Sequence, residues 1–185
     1  MGLPKKNLKR IGVLGGTFDP PHLGHLEISK FAIRKLKLKF LIWAVTKKNP
    51  LKKKSYFSLQ KRINFSKNLV LKVGRIKIET YDDIIKSSKT INLVKYLKKI
   101  YRKSEIFFLI GSDNLLNFHK WHDWKKISNF CKIIVFLSIY FIKIFNIKSI
   151  CNAIKNISVI FVCIEYILIT SFKFRDYFIY KTFLI

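Results

Sequence analysis

Ile11-Gly12-Val13-Leu14 is an apolar run too short for a helix, and it ends on the pair Gly15-Gly16. Such a run, stopped by a turn signal, predicts a buried strand. From about Gly24 the period changes, and Ile28, Phe31, Ala32 and Leu36 recur on one helical face. The same alternation continues along the chain. Residues 40–45 predict a second buried strand, and residues 47–56 a polar loop containing Pro50. Ser58 is placed to cap a helix that turns Leu59, Ile63, Ser66 and Val70 inward. Ile76-Lys77-Ile78 alternates as a strand does, and Leu93, Val94, Leu97, Ile100 and Tyr101 mark another amphipathic helix. Residues 106–110 are a further apolar run, ending at Gly111; a short helix is expected over 121–127 and a strand over 133–136. Strands alternating with helices predict an α/β fold: a Rossmann-like open parallel sheet with helices on both faces, in a single domain. Ligands of such sheets bind outside the carboxyl ends of the strands. The residues that follow Leu14 and Ile110 fall at such ends.

The chain has 185 residues, half of them apolar, which suits one domain with a sizeable core and excludes a disordered chain. Its net charge of +27 raises the question of a polyanionic partner. Only Arg10, Arg34, Arg62, Arg75, Arg102 and Arg175 are arginine among the 37 basic residues, and the lysines are scattered. Phosphate recognition favours the bidentate arginine fork. The charge is therefore read as compositional drift in a chain rich in Lys, Ile, Asn, Phe and Tyr, with neither nucleic acid nor membrane expected as a partner. Cys131, Cys151 and Cys163 are odd in number and contain no Cys-x-x-Cys, so no disulfide framework or zinc site is expected. The basic start of the chain is followed by only a four-residue apolar run, read as a first strand and not as a signal peptide. A cytoplasmic location is expected.

The last third differs in composition. All seven glycines lie at or before Gly111 and all four prolines at or before Pro50. Beyond Phe136 the chain is dominated by Ile, Phe, Tyr and Lys. Its apolar stretches, 133–142 and 157–171, are too short or too interrupted by charge to span a bilayer. Residues 1–136 are therefore taken as one part and 137–185 as a divergent C-terminal continuation of the same domain.

The chemistry is concentrated in Gly15-Gly16-Thr17-Phe18-Asp19-Pro20-Pro21-His22-Leu23-Gly24-His25. Glycines at 15 and 16 are expected to let the backbone turn sharply and approach a ligand. The helix that starts near Gly24 aims free N–H groups and its positive dipole end at the same place, an anion site. His22 and His25 are three residues apart, so both can face one point at that helix start. Transfer at phosphorus needs positioning and charge stabilisation more than covalent chemistry, and two imidazoles beside a helix terminus supply both. The chain has no Gly-x-x-x-x-Gly-Lys-Ser/Thr loop and no Gly-x-Gly-x-x-Gly, and His-x-x-His finds no convincing third metal ligand.

This string resembles the signature of the nucleotidyltransferases that carry a His-x-Gly-His motif. Further strings follow in order: Trp43-Ala44-Val45-Thr46 with Asn49-Pro50-Leu51-Lys52, Gly111-Ser112-Asp113-Asn114, and Phe118-His119-Lys120-Trp121. Together they resemble the bacterial nicotinate-nucleotide adenylyltransferases, over roughly residues 9 to 136. The resemblance implies transfer of the adenylyl group of ATP to nicotinate mononucleotide, giving nicotinate adenine dinucleotide and pyrophosphate in NAD biosynthesis. It implies Mg²⁺ held mainly by the ATP phosphates. His22 and His25 would hold those phosphates and stabilise the transition state, and Gly15, Gly16, Thr17 and Phe18 would line the nucleotide. Gly111 and Asp113 would meet the ATP ribose. Trp121 would stack on the nicotinate ring, Thr90 would hydrogen-bond its carboxylate, and Lys52 would meet phosphate. Read from the residues alone, Thr90 and Asp113 are also helix-cap types, Trp121, Trp43 and Trp124 core types, and Lys52 part of the solvated run Lys52-Lys53-Lys54. His119 and His122 read as surface or pocket-rim residues.

Two family features have no counterpart. An Arg-Pro pair usually follows the strand that corresponds to residues 133–136, where Leu137-Ser138 stand here. An Ile-Ser-Ser-Thr-x-Ile-Arg segment that binds ATP near the family's C-terminus is missing; Ile169-Thr170-Ser171 is the nearest string, and Arg175 falls too late. A shifted reading frame after Phe136 and a divergent tail are the two accounts of this, and the gene's DNA decides between them. The alternative functions are another nucleotidyltransferase, acting on pantetheine phosphate or a polyol phosphate, and an inactive basic protein.

Overall fold

The computed structural model describes residues 8–49, 54–138 and 159–164. Strands β1 (Lys9–Gly16), β2 (Phe40–Val45), β3 (Ile76–Glu79), β4 (Ser104–Gly111), β5 (Lys132–Ser138) and β6 (Val159–Ile164) form one sheet in the order β3-β2-β1-β4-β5-β6. Every neighbouring pair is parallel. The helices that return the chain between them are α1 (Leu23–Lys35), α2 (Leu59–Val70), α3 (Asp82–Ile85), α4 (Thr90–Ile100), α5 (Ser112–Leu116) and α6 (Trp124–Ile127), with a 3₁₀ turn at Phe118–Lys120. This is the expected open parallel sheet. The order reverses beside β1, between β1 and β4, which places a ligand crevice at the carboxyl ends of those two strands.

Alternation along each strand explains the two cores. Ile11, Val13, Ile42, Ile106, Phe108 and Val135 face one side, where Ile91, Val94 and Leu97 of α4 cover them. Leu14, Leu41, Trp43, Phe107, Leu109 and Ile134 face the other, under Leu26, Phe31 and Ala32 of α1 and Val70 of α2. Strands buried on both faces read as continuous apolar runs, which is why four of the strands stood out in the sequence. Ser58 caps α2 as expected, its side chain accepting from the Lys61 N–H at 3.4 Å.

The face of α2 differs from the expected one. Leu59 and Ile63 are only partly buried, and the fully buried stripe is Arg62, Ser66 and Val70. An arginine that opens a buried stripe is invisible to hydrophobic periodicity. The Gly15-Gly16 expectation also needs correcting. No described glycine has a positive φ; Gly15 and Gly16 continue β1, paired with Ala44 and Val45. The left-handed residue is Phe18, at φ 50°. The sheet keeps the two glycines extended for pairing and postpones the turn until the strand has ended. Strand β6 continues the sheet beyond residue 136 through its pairing with β5. Among the described residues, no helix is long and apolar enough to cross a membrane.

Candidate active site

His22 occupies the N-cap position of α1, and His25 lies on its first turn. Their ring centroids are 3.8 Å apart, tilted by 43°. The His22 backbone N–H donates to His25 Nδ1 at 3.3 Å, and the His25 N–H donates to the His22 carbonyl at 3.0 Å. A ring that accepts at Nδ1 carries its proton on Nε2. His25 is thereby set as a donor at its outer nitrogen. Behind it, Phe18 and Trp43 stack at 4.8 Å with 12° between their planes, and Phe18 lies 4.9 Å from the His25 ring. Trp43 Nε1 donates to Ser29 Oγ at 2.7 Å, and Ser29 Oγ donates to the His25 carbonyl at 2.7 Å. The His25 ring is thus mounted on the hydrophobic core. Burial lowers the His22 pKa from its ordinary value of 6.5, partly opposed by the nearby Asp113 carboxylate.

Phe18, His22, His25 and Asp113 line a cavity of about 550 Å³ at the carboxyl edge of the sheet. Gly15, Gly16, Thr17, Phe18, His22, His25 and Asp113 all reach it, and so do Thr90 and Trp121. One space therefore joins the residues assigned to ATP with two of those assigned to the mononucleotide. Thr90 is the first residue of α4. Trp121 is half-buried, packed against Phe118 at 5.2 Å and edge-on to Phe108 at 6.2 Å. His122 borders the cavity, in keeping with a rim residue. Trp43 is fully buried and Trp124 packs against the core. Lys52 lies outside the described residues.

Gly111 does not line the cavity, and its contribution is indirect. A Cβ at position 111 would sit 2.5 Å from Asp113 Oδ1. The missing side chain leaves room for the Asp113 carboxylate at the cavity wall. Gly24 does the same for His22, whose ring atoms would lie 3.0 Å from a Cβ there. Gly111→Ala is expected to displace Asp113 and weaken ATP binding by about 10–100-fold, the equivalent of one hydrogen bond to a charged group. Calorimetric titration with ATP, beside Asp113→Ala, checks this; unchanged affinity in both variants would remove Asp113 from the ATP site.

Three charged residues escaped the sequence reading. Asp19 accepts from the Tyr56 N–H at 2.5 Å and the Phe57 N–H at 2.9 Å. Asp82 accepts from Thr46 Oγ1 and the Lys47 N–H, both at 2.8 Å. Arg62 donates to four backbone carbonyls. A polar pattern alone could not have found them, since their partners are mostly main-chain groups, most of them distant in sequence. Asp19 and Asp82 are therefore committed to the backbone, and among the described residues no three His, Cys, Asp or Glu side chains gather into a metal-holding group.

Residues 13–176 match the cytidylyltransferase-like family. A Pelagibacter ubique protein named "Probable nicotinate-nucleotide adenylyltransferase" is 50% identical over 137 residues, covering 72% of this chain and 76% of that protein. A protein of the same name from Ruegeria sp. is 36% identical over 63% of this chain and 61% of its own length. The solved structure of Plasmodium falciparum nicotinic acid mononucleotide adenylyltransferase, complexed with NaAD, has a similar fold, with a TM-score of 0.68 at 18% identity over 86% of this chain and 77% of that one. The paired histidines at a helix start, at the edge of a 3-2-1-4-5-6 parallel sheet, thus come with half-identical sequence to one of these relatives, and the chain belongs to the cytidylyltransferase-like nucleotidyltransferases and, within them, to the nicotinate-nucleotide adenylyltransferase family.

Proposed function

We propose that the chain transfers the adenylyl group of ATP to nicotinate mononucleotide, a step of NAD biosynthesis. The observation that carries this is the convergence of His22 and His25 with Asp113, Thr90 and Trp121 on one cavity. A phosphate oxygen of the mononucleotide attacks the α-phosphorus of ATP, the α–β bridging bond breaks, and pyrophosphate leaves. No enzyme nucleophile is needed. The Nε2–H of His25, the His22 ring and the N-terminal N–H groups of α1 face the negative charge that develops on the phosphates. Gly15, Gly16, Thr17 and Phe18 offer close backbone approach to the nucleotide. Asp113 accepts from the ribose hydroxyls. Thr90, at the start of α4, holds the nicotinate carboxylate with the backbone N–H groups there, and the exposed part of Trp121 stacks on the ring. Lys52 is assigned to phosphate.

Mg²⁺ belongs to this proposal as an ion carried mainly by the ATP phosphates, where it neutralises oxygen charge. The protein side fits that role: two of the cavity's carboxylates are already held by backbone N–H groups, and an oxygen-rich triphosphate supplies the ligands a hard cation prefers. The reaction is expected to take place in the cytoplasm.

Pyrophosphate release from ATP tests the reading, with nicotinate and nicotinamide mononucleotides compared, and pantetheine phosphate and a polyol phosphate as controls. Release with nicotinate mononucleotide is expected. Release only with a control acceptor would move the chain to another nucleotidyltransferase activity, and no release with any acceptor would favour an inactive protein. Trp121→Ala is expected to raise KM for the mononucleotide about 10- to 100-fold, the worth of one aromatic stacking contact, with KM for ATP little changed.

A further inference from the structure

Among the described residues Arg62 is the one buried charged side chain, and the proposed reaction does not use it. Only 2% of its surface is exposed, and its guanidinium is spent entirely on main-chain carbonyls. Nε donates to Phe57 O at 3.1 Å, Nη1 to Thr17 O at 2.5 Å and Thr46 O at 2.8 Å, and Nη2 to Lys47 O at 3.2 Å. Those carbonyls come from three places: the loop after β1, the loop after β2, and the residues leading into α2. Two acids complete the assembly. Asp19 holds the N–H groups of Tyr56 and Phe57, and Asp82 holds Thr46 and Lys47. The loop between β2 and α2 is thereby pinned at both ends, and Arg62 sits between the pins. Burial pulls the Arg62 pKa down while Asp19 and Asp82 push it back up, as expected for a cation held charged in a partly dry site.

A buried arginine is costly unless its nitrogens are hydrogen-bonded, and here Nε, Nη1 and Nη2 all are. Its placement therefore calls for a reason, and Thr17 supplies one. Thr17 precedes Phe18, whose φ of 50° lies in the left-handed region that non-glycine residues rarely adopt. Such a conformation persists only where its surroundings fix it. The bond from Arg62 to Thr17 O fixes one end of that turn, and the stack of Phe18 on Trp43 fixes the other. Phe18 in turn lies against the His25 ring.

We infer that Arg62 is a positioning residue for adenylyl transfer: its guanidinium locks the Thr17–Phe18 turn to the loop after β2, and through Phe18 sets the His25 imidazole. This rests on the proposed reaction for its kinetic consequence but not for its structural one. A guanidinium is needed because the four carbonyls diverge around a planar fork, a pattern that a single ammonium cannot satisfy.

The test compares wild-type protein with Arg62→Met and Arg62→Lys, first by hydrogen–deuterium exchange without substrate. Faster exchange is expected in Arg62→Met over residues 15–19, 46–49 and 54–57 together, with the strands unchanged. In the assay, kcat is expected to fall about 100-fold in Arg62→Met at a temperature where circular dichroism shows it folded, the loss that follows a displacement of about 1 Å in a catalytic group. Arg62→Lys is expected to recover only part of that loss. Arg62→Ala is expected to regain activity with millimolar guanidinium but not with urea at the same concentration. Wild-type kcat in folded Arg62→Met, or unchanged exchange over residues 15–19, would overturn the inference and leave Arg62 as a structural residue. Should Arg62→Met fail to fold, Arg62→Lys and the guanidinium arm carry the same comparison. A wild-type enzyme that releases no pyrophosphate would sink the proposed reaction instead, and the exchange comparison would still decide what Arg62 holds.

Discussion

Alanine at His25 is expected to lower kcat for pyrophosphate release by about 10²–10³-fold, and alanine at His22 by a similar factor, the loss typical of removing one preorganised donor to a developing charge. KM for nicotinate mononucleotide should stay near its wild-type value, because the proposed reaction assigns these rings to the phosphates of ATP. The two side chains act as one unit: their rings are 3.8 Å apart, and the His22 N–H fixes the His25 tautomer. The double variant is therefore expected to lose little more than the worse single one. The pH dependence gives an independent sign. Burial holds the His22 pKa below 6.5 in the ligand-free protein, so His22 is neutral there at pH 7. Anionic phosphates favour its charged form and raise that pKa on binding. ATP binding should then take up a proton near neutral pH, measurable by calorimetry in buffers of different ionisation enthalpy, and the uptake should vanish in His22→Asn. Uptake that survives in His22→Asn would mean that His22 does not meet the phosphates.

How much of this was legible in the sequence depends on the kind of pattern involved. Buried parallel strands leave continuous apolar runs, so β2 could be placed at both of its ends and β4 and β5 to within two residues. The histidine motif was legible because both rings lie on one helical turn, where spacing alone brings them together. Helices α3 and α5 could not be read, since four or five residues are too few to show a period of 3.6. Arg62 was hidden for a different reason. Its partners are carbonyls at positions 17, 46, 47 and 57, and carbonyls have no letter in a sequence. Phe18 was hidden because the sharp turn was expected at Gly15 and Gly16. In the site, then, several cavity-lining side chains were readable and the main-chain scaffold around them was not. The family's C-terminal ATP-binding segment has no counterpart in the sequence, and Ile169-Thr170-Ser171 and Arg175 lie outside the described residues.

The division between scaffold and site narrows to nothing at Trp43. Its side chain, on β2, is fully buried in the core shared with α1, yet it stacks on Phe18, lies 5.9 Å from the His25 ring and bonds Ser29, which bonds the His25 carbonyl. Trp43→Ala is expected to cost about 3–5 kcal/mol through lost transfer energy and the cavity it leaves. That is a large part of the roughly 5–15 kcal/mol by which a domain of this kind is stable. Urea denaturation should show the midpoint fall with little change in slope. Trp43→Phe separates the two roles. It keeps an aromatic face over Phe18 but removes the Nε1–H donor, so Ser29 loses one partner at a cost of about 1 kcal/mol. A protein destabilised by so little remains folded at 25 °C, and any fall in kcat must then come from position and not from unfolding. A several-fold fall is expected, smaller than the roughly tenfold that 1.4 kcal/mol of barrier would give. Wild-type kcat in Trp43→Phe would show that the bond to Ser29 serves the core alone, and that His25 is held in place by Phe18 and the helix turn without it.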